Sequence, residues 1–300
     1  MSTIVVLGGA GVVGRWAGAH LAAPADTTMT VDLVGEVDLL ADVTEPTGPL
    51  AKILGDADAV VLALPEDVAA ACLDWLPDTA APEAIVLPTC SVQAPVFGRA
   101  ARVRMSQQLV GVNPMFSPTL PSAGRPVALI STEHREPPDW VAARLTSAGM
   151  TVTGMTPEEH DATMSYLQAL PHAAVLGFVA ALATAPIDAE RLMALAPPPA
   201  RTLVALACRI LTAPAEIYWD IQYANPAAHA RRTELRQAIE DLDGAVAERR
   251  PEDFRAMLDD AARWLGPYLA NGAEHCRTIF RSPRPDDGSP AEAGARMENR

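Results

Sequence analysis

Gly9-Ala10-Gly11-Val12-Val13-Gly14 spaces three glycines as GxGxxG, directly after the apolar run Ile4–Leu7 and ahead of a helical stretch. In that setting the spacing has a mechanism. Gly9 allows a tight turn, Gly11 lets the backbone approach a pyrophosphate, and Gly14 lets helix and strand pack closely. Val12 and Val13 open the helix, whose N-terminus faces the phosphates. Asp32 stands eighteen residues after Gly14, at the end of a second apolar run. A carboxylate there accepts hydrogen bonds from the adenosine ribose and repels a 2′-phosphate, which favours NAD over NADP. A glycine-rich turn in an unrelated α/β protein and an FAD site are the competing readings. Strand, loop, helix and acid agree against the first, and no second dinucleotide fold supports the other.

A second group of polar residues lies further on. Ser91 follows a strand-like run, and Asn113 begins the block Asn113-Pro114-Met115-Phe116-Ser117-Pro118. Glu159-His160-Asp161 and His172 share one helical stretch, and Arg201 and Arg209 share a later one. Taken singly, such a histidine is more often a satisfied core residue and such an arginine a solvated surface group.

The elements that position these residues divide the chain. Apolar runs at 4–7, 29–32, 59–64, 84–87, 109–112, 127–130 and 151–153 alternate with helical stretches. That alternation predicts a mostly parallel sheet buried on both faces, a Rossmann domain over residues 1–155. Thr156-Pro157-Glu158-Glu159 then reads as a helix start. Residues 156–281 read as all-helical, with Pro171 predicted to kink the first long helix. Residues 282–300, rich in Pro, Gly and charge, read as a disordered tail.

Composition excludes several classes. The 300 residues are 49% hydrophobic, with net charge −14, so nucleic acid and anionic membranes are poor partners. No apolar run approaches the length of a membrane span, and the N-terminus lacks a signal peptide's basic start. Cys72, Cys90, Cys208 and Cys276 form no CxxC pair and no metal-spaced cluster, which suits reduced thiols in the cytoplasm and predicts no metal.

Together the motifs resemble the prephenate and arogenate dehydrogenases of tyrosine biosynthesis. The resemblance covers most of residues 1–280. It is carried by GGxGxxGR from Gly8 to Arg15, by Ser91-Val92 and by xPMFxP at Asn113–Pro118. It continues in EHDxxMxxxQALxH from Glu159 to His172, Cys208-Arg209 and Trp264–Tyr268. It implies a Rossmann domain joined to a helical dimerisation domain, hence a homodimer. It also implies NAD(P)-dependent oxidative decarboxylation of a small dicarboxylate. By the same resemblance Arg209 anchors a substrate carboxylate, His172 lines the substrate site and Ser91 orients the catalytic base. His160 has a supporting role, and the nicotinamide lies near Pro65, Ser91 and Asn113.

One departure matters. The family's block reads HPMFGP, and its histidine accepts the proton of the C4 hydroxyl. Here Asn113 occupies that position and Ser117 replaces the glycine. An amide cannot act as a base near neutral pH, and general-base catalysis contributes about 10²–10⁴-fold. Three readings follow. In the preferred one C4 of the substrate carries an amine, as in 4-amino-4-deoxyprephenate, the precursor of 4-aminophenylpyruvate and a step used in antibiotic pathways. Its nitrogen lone pair can expel hydride without a strong base. In the second, a prephenate or arogenate dehydrogenase recruits another base, such as His172 or a water held by Ser91. In the third, the chain is a non-catalytic NAD-binding sensor.

Overall fold

The computed structural model describes residues 2–46, 48–132 and 136–281. The expected tail at 282–300 lies outside the described residues.

The nucleotide half runs β1 (Thr3–Leu7), α1 (Val12–Leu21), β2 (Thr27–Asp32), β3 (Leu39–Leu40), α2 (Gly48–Gly55), β4 (Ala59–Leu62), α3 (Glu66–Cys72), α4 (Leu76–Thr79), β5 (Ile85–Pro88), α5 (Ala94–Val103) and β6 (Gln108–Leu109). These six strands form one parallel sheet in the order β3-β2-β1-β4-β5-β6. This is the doubly wound arrangement, with its switch point between β1 and β4. Side chains alternate across it. Val5, Leu7, Val31, Val60 and Val86 enter one buried cluster, with Leu50, Leu54 and Leu76 from the helices. Ile4, Val6, Val61 and Leu87 enter another, with Trp16, Leu21, Val141 and Leu145. Burial on both faces explains the unbroken apolar runs in the sequence.

The expected single strand at 109–112 is in fact two. The N–H of Val110 still reaches the carbonyl of Val86 at 2.9 Å, but β7 (Gly111–Pro114) leaves for a second sheet. There β7 pairs antiparallel with β8 (Pro126–Ile130), which pairs parallel with β9 (Thr151–Met155) beyond α6 (Asp139–Ser147). A parallel-sheet pattern in sequence cannot show this change of partner, because the run 109–112 is unbroken by polar residues across it.

After Met155 the described residues contain helices only: α7 (Pro157–Met164), α8 (Leu170–Leu182), α9 (Ala189–Leu195), α10 (Pro198–Leu211), α11 (Ala215–Tyr223), α12 (Ala228–Ala247), α13 (Pro251–Leu265) and α14 (Tyr268–Arg281). The start of α7 is a capping box: Thr156 Oγ1 accepts from the Glu159 N–H at 3.1 Å, and Glu159 Oε2 accepts from the Thr156 N–H at 2.9 Å. Between α7 and α8, residues Ser165–Ala169 widen into a π turn. Pro171 has no N–H for the Leu167 carbonyl, and the added residue per turn accommodates that loss. The helical run Pro157–Leu182 is long and apolar enough to cross a membrane by length and composition, with mean hydropathy 1.4. Its first turns, however, carry Glu158, Glu159 and the buried His160–Asp161 pair.

Compactness divides the chain into two units: residues 1–176 with 210–233, and residues 177–209 with 234 onward. In the second unit Arg201 caps α9, donating to the carbonyls of Ala196 (2.9 Å) and Met193 (3.0 Å). Large apolar side chains stay exposed there, including Leu195, Trp264 and Tyr268 at 81%, 85% and 76%.

Candidate active site

The glycine loop leaves β1 at the switch point of the sheet. The N–H groups of Gly8 and Gly9 both donate to the Val31 carbonyl, at 2.8 and 3.0 Å. A Cβ on Gly14 would lie 2.1 Å from the Gly8 carbonyl oxygen, so the helix can meet the loop only without a side chain. The left-handed backbone falls at Gly8, φ +82°, one residue before the motif. Gly11 is the extended N-cap of α1 without a capping side chain, and no acid lies in the first turn. The first-turn N–H groups at Val12 and Val13 therefore suit a pyrophosphate. Asp32 ends β2 and braces the loop, its Oδ2 accepting from the Ala10 N–H at 3.0 Å and its Oδ1 from the Leu33 N–H at 2.8 Å. Loop, helix terminus and acid fit an NAD adenosine and its pyrophosphate.

Asn113 sits on β7, 3% exposed. Its Nδ2 lies 2.9 Å from Nε2 of the fully buried His160 on α7. His160 Nδ1 lies 2.8 Å from Asp161 Oδ1. Asp161 then accepts the Gln93 N–H on Oδ1 at 2.9 Å and the Ala94 N–H on Oδ2 at 2.8 Å, at the N-terminus of α5. The Asp161 carbonyl accepts from Asn225 Nδ2 at 2.8 Å. Resemblance gave His160 only a supporting role; the geometry makes it the direct partner of Asn113.

Ser91 follows β5, and its N–H donates to Glu66 Oε1 at 2.9 Å. Glu66 opens α3 directly after its N-cap Pro65, three residues beyond β4. Burial first, and then a hydrogen bond to Asp220 of α11, push the Glu66 carboxyl up to about 7. The neighbouring Cys90 thiol is held well above its usual range by burial and by Glu66, Asp161 and Asp220. Three carboxyl groups thus surround the Cys90–Gln93 turn.

His172 lies on α8 beyond the π turn, its ring edge-on to Tyr218 of α11 with centroids 5.0 Å apart. Gln222 Nε2 donates to the Ala169 carbonyl at 2.7 Å beside Pro171. The α11 residues thus have identifiable work: Tyr218 contacts His172, Asp220 bonds Glu66, and Gln222 supports the distorted turn. Arg209 lies in the last turn of α10, where the second unit's first segment ends. Glu66, Gln93 and Asn225 escaped the sequence reading. A carboxylate opening a helix right after a strand was the available signal for Glu66; Gln93 and Asn225 had none.

A doubly wound parallel sheet with a glycine loop at its switch point and an acid ending β2 defines a nucleotide-dependent dehydrogenase fold. Comparison with known proteins narrows the class. The profile for the prephenate dehydrogenase dimerization domain matches residues 156–260. A 4-amino-4-deoxyprephenate dehydrogenase of Streptomyces pristinaespiralis is 34% identical over 282 residues, covering 92% of this chain and 95% of that one. A T-protein of Enterobacter agglomerans is 23% identical, covering 93% and 72%. Among solved structures, the A. aeolicus prephenate dehydrogenase complexed with hydroxyphenyl propionate and NAD+ superposes with TM-score 0.71 at 18% identity, covering 87% and 96%. Synechocystis arogenate dehydrogenase gives 0.65 at 19%, covering 87% and 98%. The chain belongs to the prephenate dehydrogenase family and is an oxidoreductase.

Proposed function

We propose that the chain converts 4-amino-4-deoxyprephenate to 4-aminophenylpyruvate, with NAD bound on the glycine loop and Asp32. The observation that carries this reading is Asn113: a buried amide, hydrogen-bonded to His160, stands where the resembling enzymes have a base. The 34% identity to a protein of that activity supports it.

The reaction balances without a base. When bound, NAD+ would supply the acceptor for the hydride that leaves substrate C4. The amine lone pair forms a C=N bond as hydride leaves. Loss of CO₂ from C1 then returns an electron pair through the ring, and both N–H bonds survive in the aromatic amine. The protein's task is placement. Asn113 accepts one N–H and holds C4 toward the nicotinamide. Pro65 and Ser91, each three residues beyond its strand, β4 and β5, border the nicotinamide position. His172 lines the substrate position, and the family resemblance assigns to Arg209 the pairing with a substrate carboxylate, a cation that offsets the repulsion of an anionic substrate by a chain of net charge −14.

We also assign a homodimer in the cytoplasm. The matching profile is that of a dimerization domain, and the apolar side chains exposed in the second unit suit a helical interface. None of the four cysteines is in a disulfide, which suits a reducing compartment.

The decisive experiment follows NADH formation with 4-amino-4-deoxyprephenate and prephenate side by side. Preference for the amine is expected. Preference for prephenate rejects the amine reading, and silence with both while NAD still binds rejects catalysis.

A further inference from the structure

We propose that Asp161 and His160 are positioning residues that set the polarity of Asn113, so that the amide offers its carbonyl oxygen, and not its NH₂, to the substituent on substrate C4. The identity of that substituent as an amine rests on the function proposed above. The polarity does not.

The polarity originates in two backbone groups that can only donate. The N–H groups of Gln93 and Ala94 engage both oxygens of Asp161, at 2.9 and 2.8 Å, so both oxygens act as acceptors. The third contact, from His160 Nδ1 to Asp161 Oδ1 at 2.8 Å, therefore carries its proton on the histidine. In the neutral ring Nε2 then presents its lone pair to Asn113, which answers at 2.9 Å with Nδ2. The carbonyl Oδ1 is the polar atom left over, and no donor among the described residues bonds to it. With His160 fully buried, Asn113 3% and Asp161 4% exposed, water has little access with which to scramble the chain of bonds.

The consequence concerns the amine lone pair. An amide offering Oδ1 accepts an N–H and leaves that lone pair free to expel hydride. A reversed amide would donate to the lone pair and withdraw it from the reaction. The N-terminus of α5 thus selects, through three side chains, a neutral amine with an N–H to give. It also accounts for a buried His–Asp pair in a site whose reacting position holds no base.

Two measurements test this. Histidine ¹⁵N NMR of the full-length protein with NAD+ bound should show His160 protonated on Nδ1 with a bare Nε2. A ring protonated on Nε2 overturns the proposal, whichever substrate the enzyme uses. Asp161→Asn can turn its NH₂ toward His160 Nδ1, which reverses the tautomer and Asn113 with it. In that variant the ratio of amine to prephenate kcat should fall at least about tenfold, with KM for NAD unchanged. Equal losses on both substrates would reduce Asp161 to a structural role and overturn the proposal. Should Asp161→Asn not fold, the NMR of the unaltered protein decides alone.

Discussion

Glu66 hydrogen-bonds Asp220, a pairing of two carboxyl groups that requires one shared proton. Burial and that bond raise Glu66 to about 7 from 4.5. The folded pKa is the higher one, so the stability is fully present below pH 4.5 and drains away as pH rises to about 7. The loss is about 3 kcal/mol. Glu66→Gln mimics the protonated form, still accepting from the Ser91 N–H and donating to Asp220. Thermal melts should show it several degrees more stable than the parent at pH 8 and nearly level at pH 5. An equal difference at both pH values would contradict the shared proton.

Asn113→His restores a base on the same bond to His160. Its N–H would face Nε2, leaving the other ring nitrogen bare toward the substrate. Prephenate turnover should rise at least tenfold, a modest part of the ~10²–10⁴ that general bases supply, while turnover of the amine falls. Steady-state kinetics on both substrates check this; a parallel fall of both would remove Asn113 from substrate choice.

Asp32 braces Ala10, and in the proposed NAD site its carboxylate would face the adenosine ribose. Asp32→Ala should raise the KM for NAD roughly tenfold and lower that for NADP. Cofactor titrations at saturating substrate would show it. An unchanged NAD to NADP ratio would place the adenosine ribose elsewhere.

Gly111 lies where β7 leaves the parallel sheet, two residues before Asn113. A Cβ there would lie 2.6 Å from Gln93 Oε1 and 3.0 Å from Ile130 Cβ. Gly111→Ala should cost roughly 1–3 kcal/mol by overpacking and cut kcat by displacing Asn113. Denaturant melts and kinetics together test it; a fully active, fully stable variant would show that Gln93 moves aside freely.

The glycine loop was legible because its parts are local. Strand, loop and helix are contiguous from Thr3 to Leu21, and Asp32 follows on the next strand. The capping box at Thr156 and the distortion at Pro171 were legible for the same reason, although the distortion is a π turn and not a simple kink. What stayed hidden depends on distant pairing. His160 lies 47 positions from Asn113, and Asp161 lies 68 from Gln93. The break at Val110 was hidden differently: its neighbours are apolar on both sides, so neither pattern nor propensity marks the change of sheet.

Residues 210–233 belong to the same compact unit as residues 1–176. They bring Tyr218 to His172, Asp220 to Glu66 and Asn225 to Asp161. On the ribosome the nucleotide-binding portion therefore emerges without those partners and waits while the intervening chain is synthesised. At about 5–20 residues per second that interval lasts several seconds. During it the contacts of Glu66 with Asp220 and of Asp161 with Asn225 cannot form. The glycine loop thus emerges ahead of the residues that complete the surroundings of His172, Glu66 and Asp161.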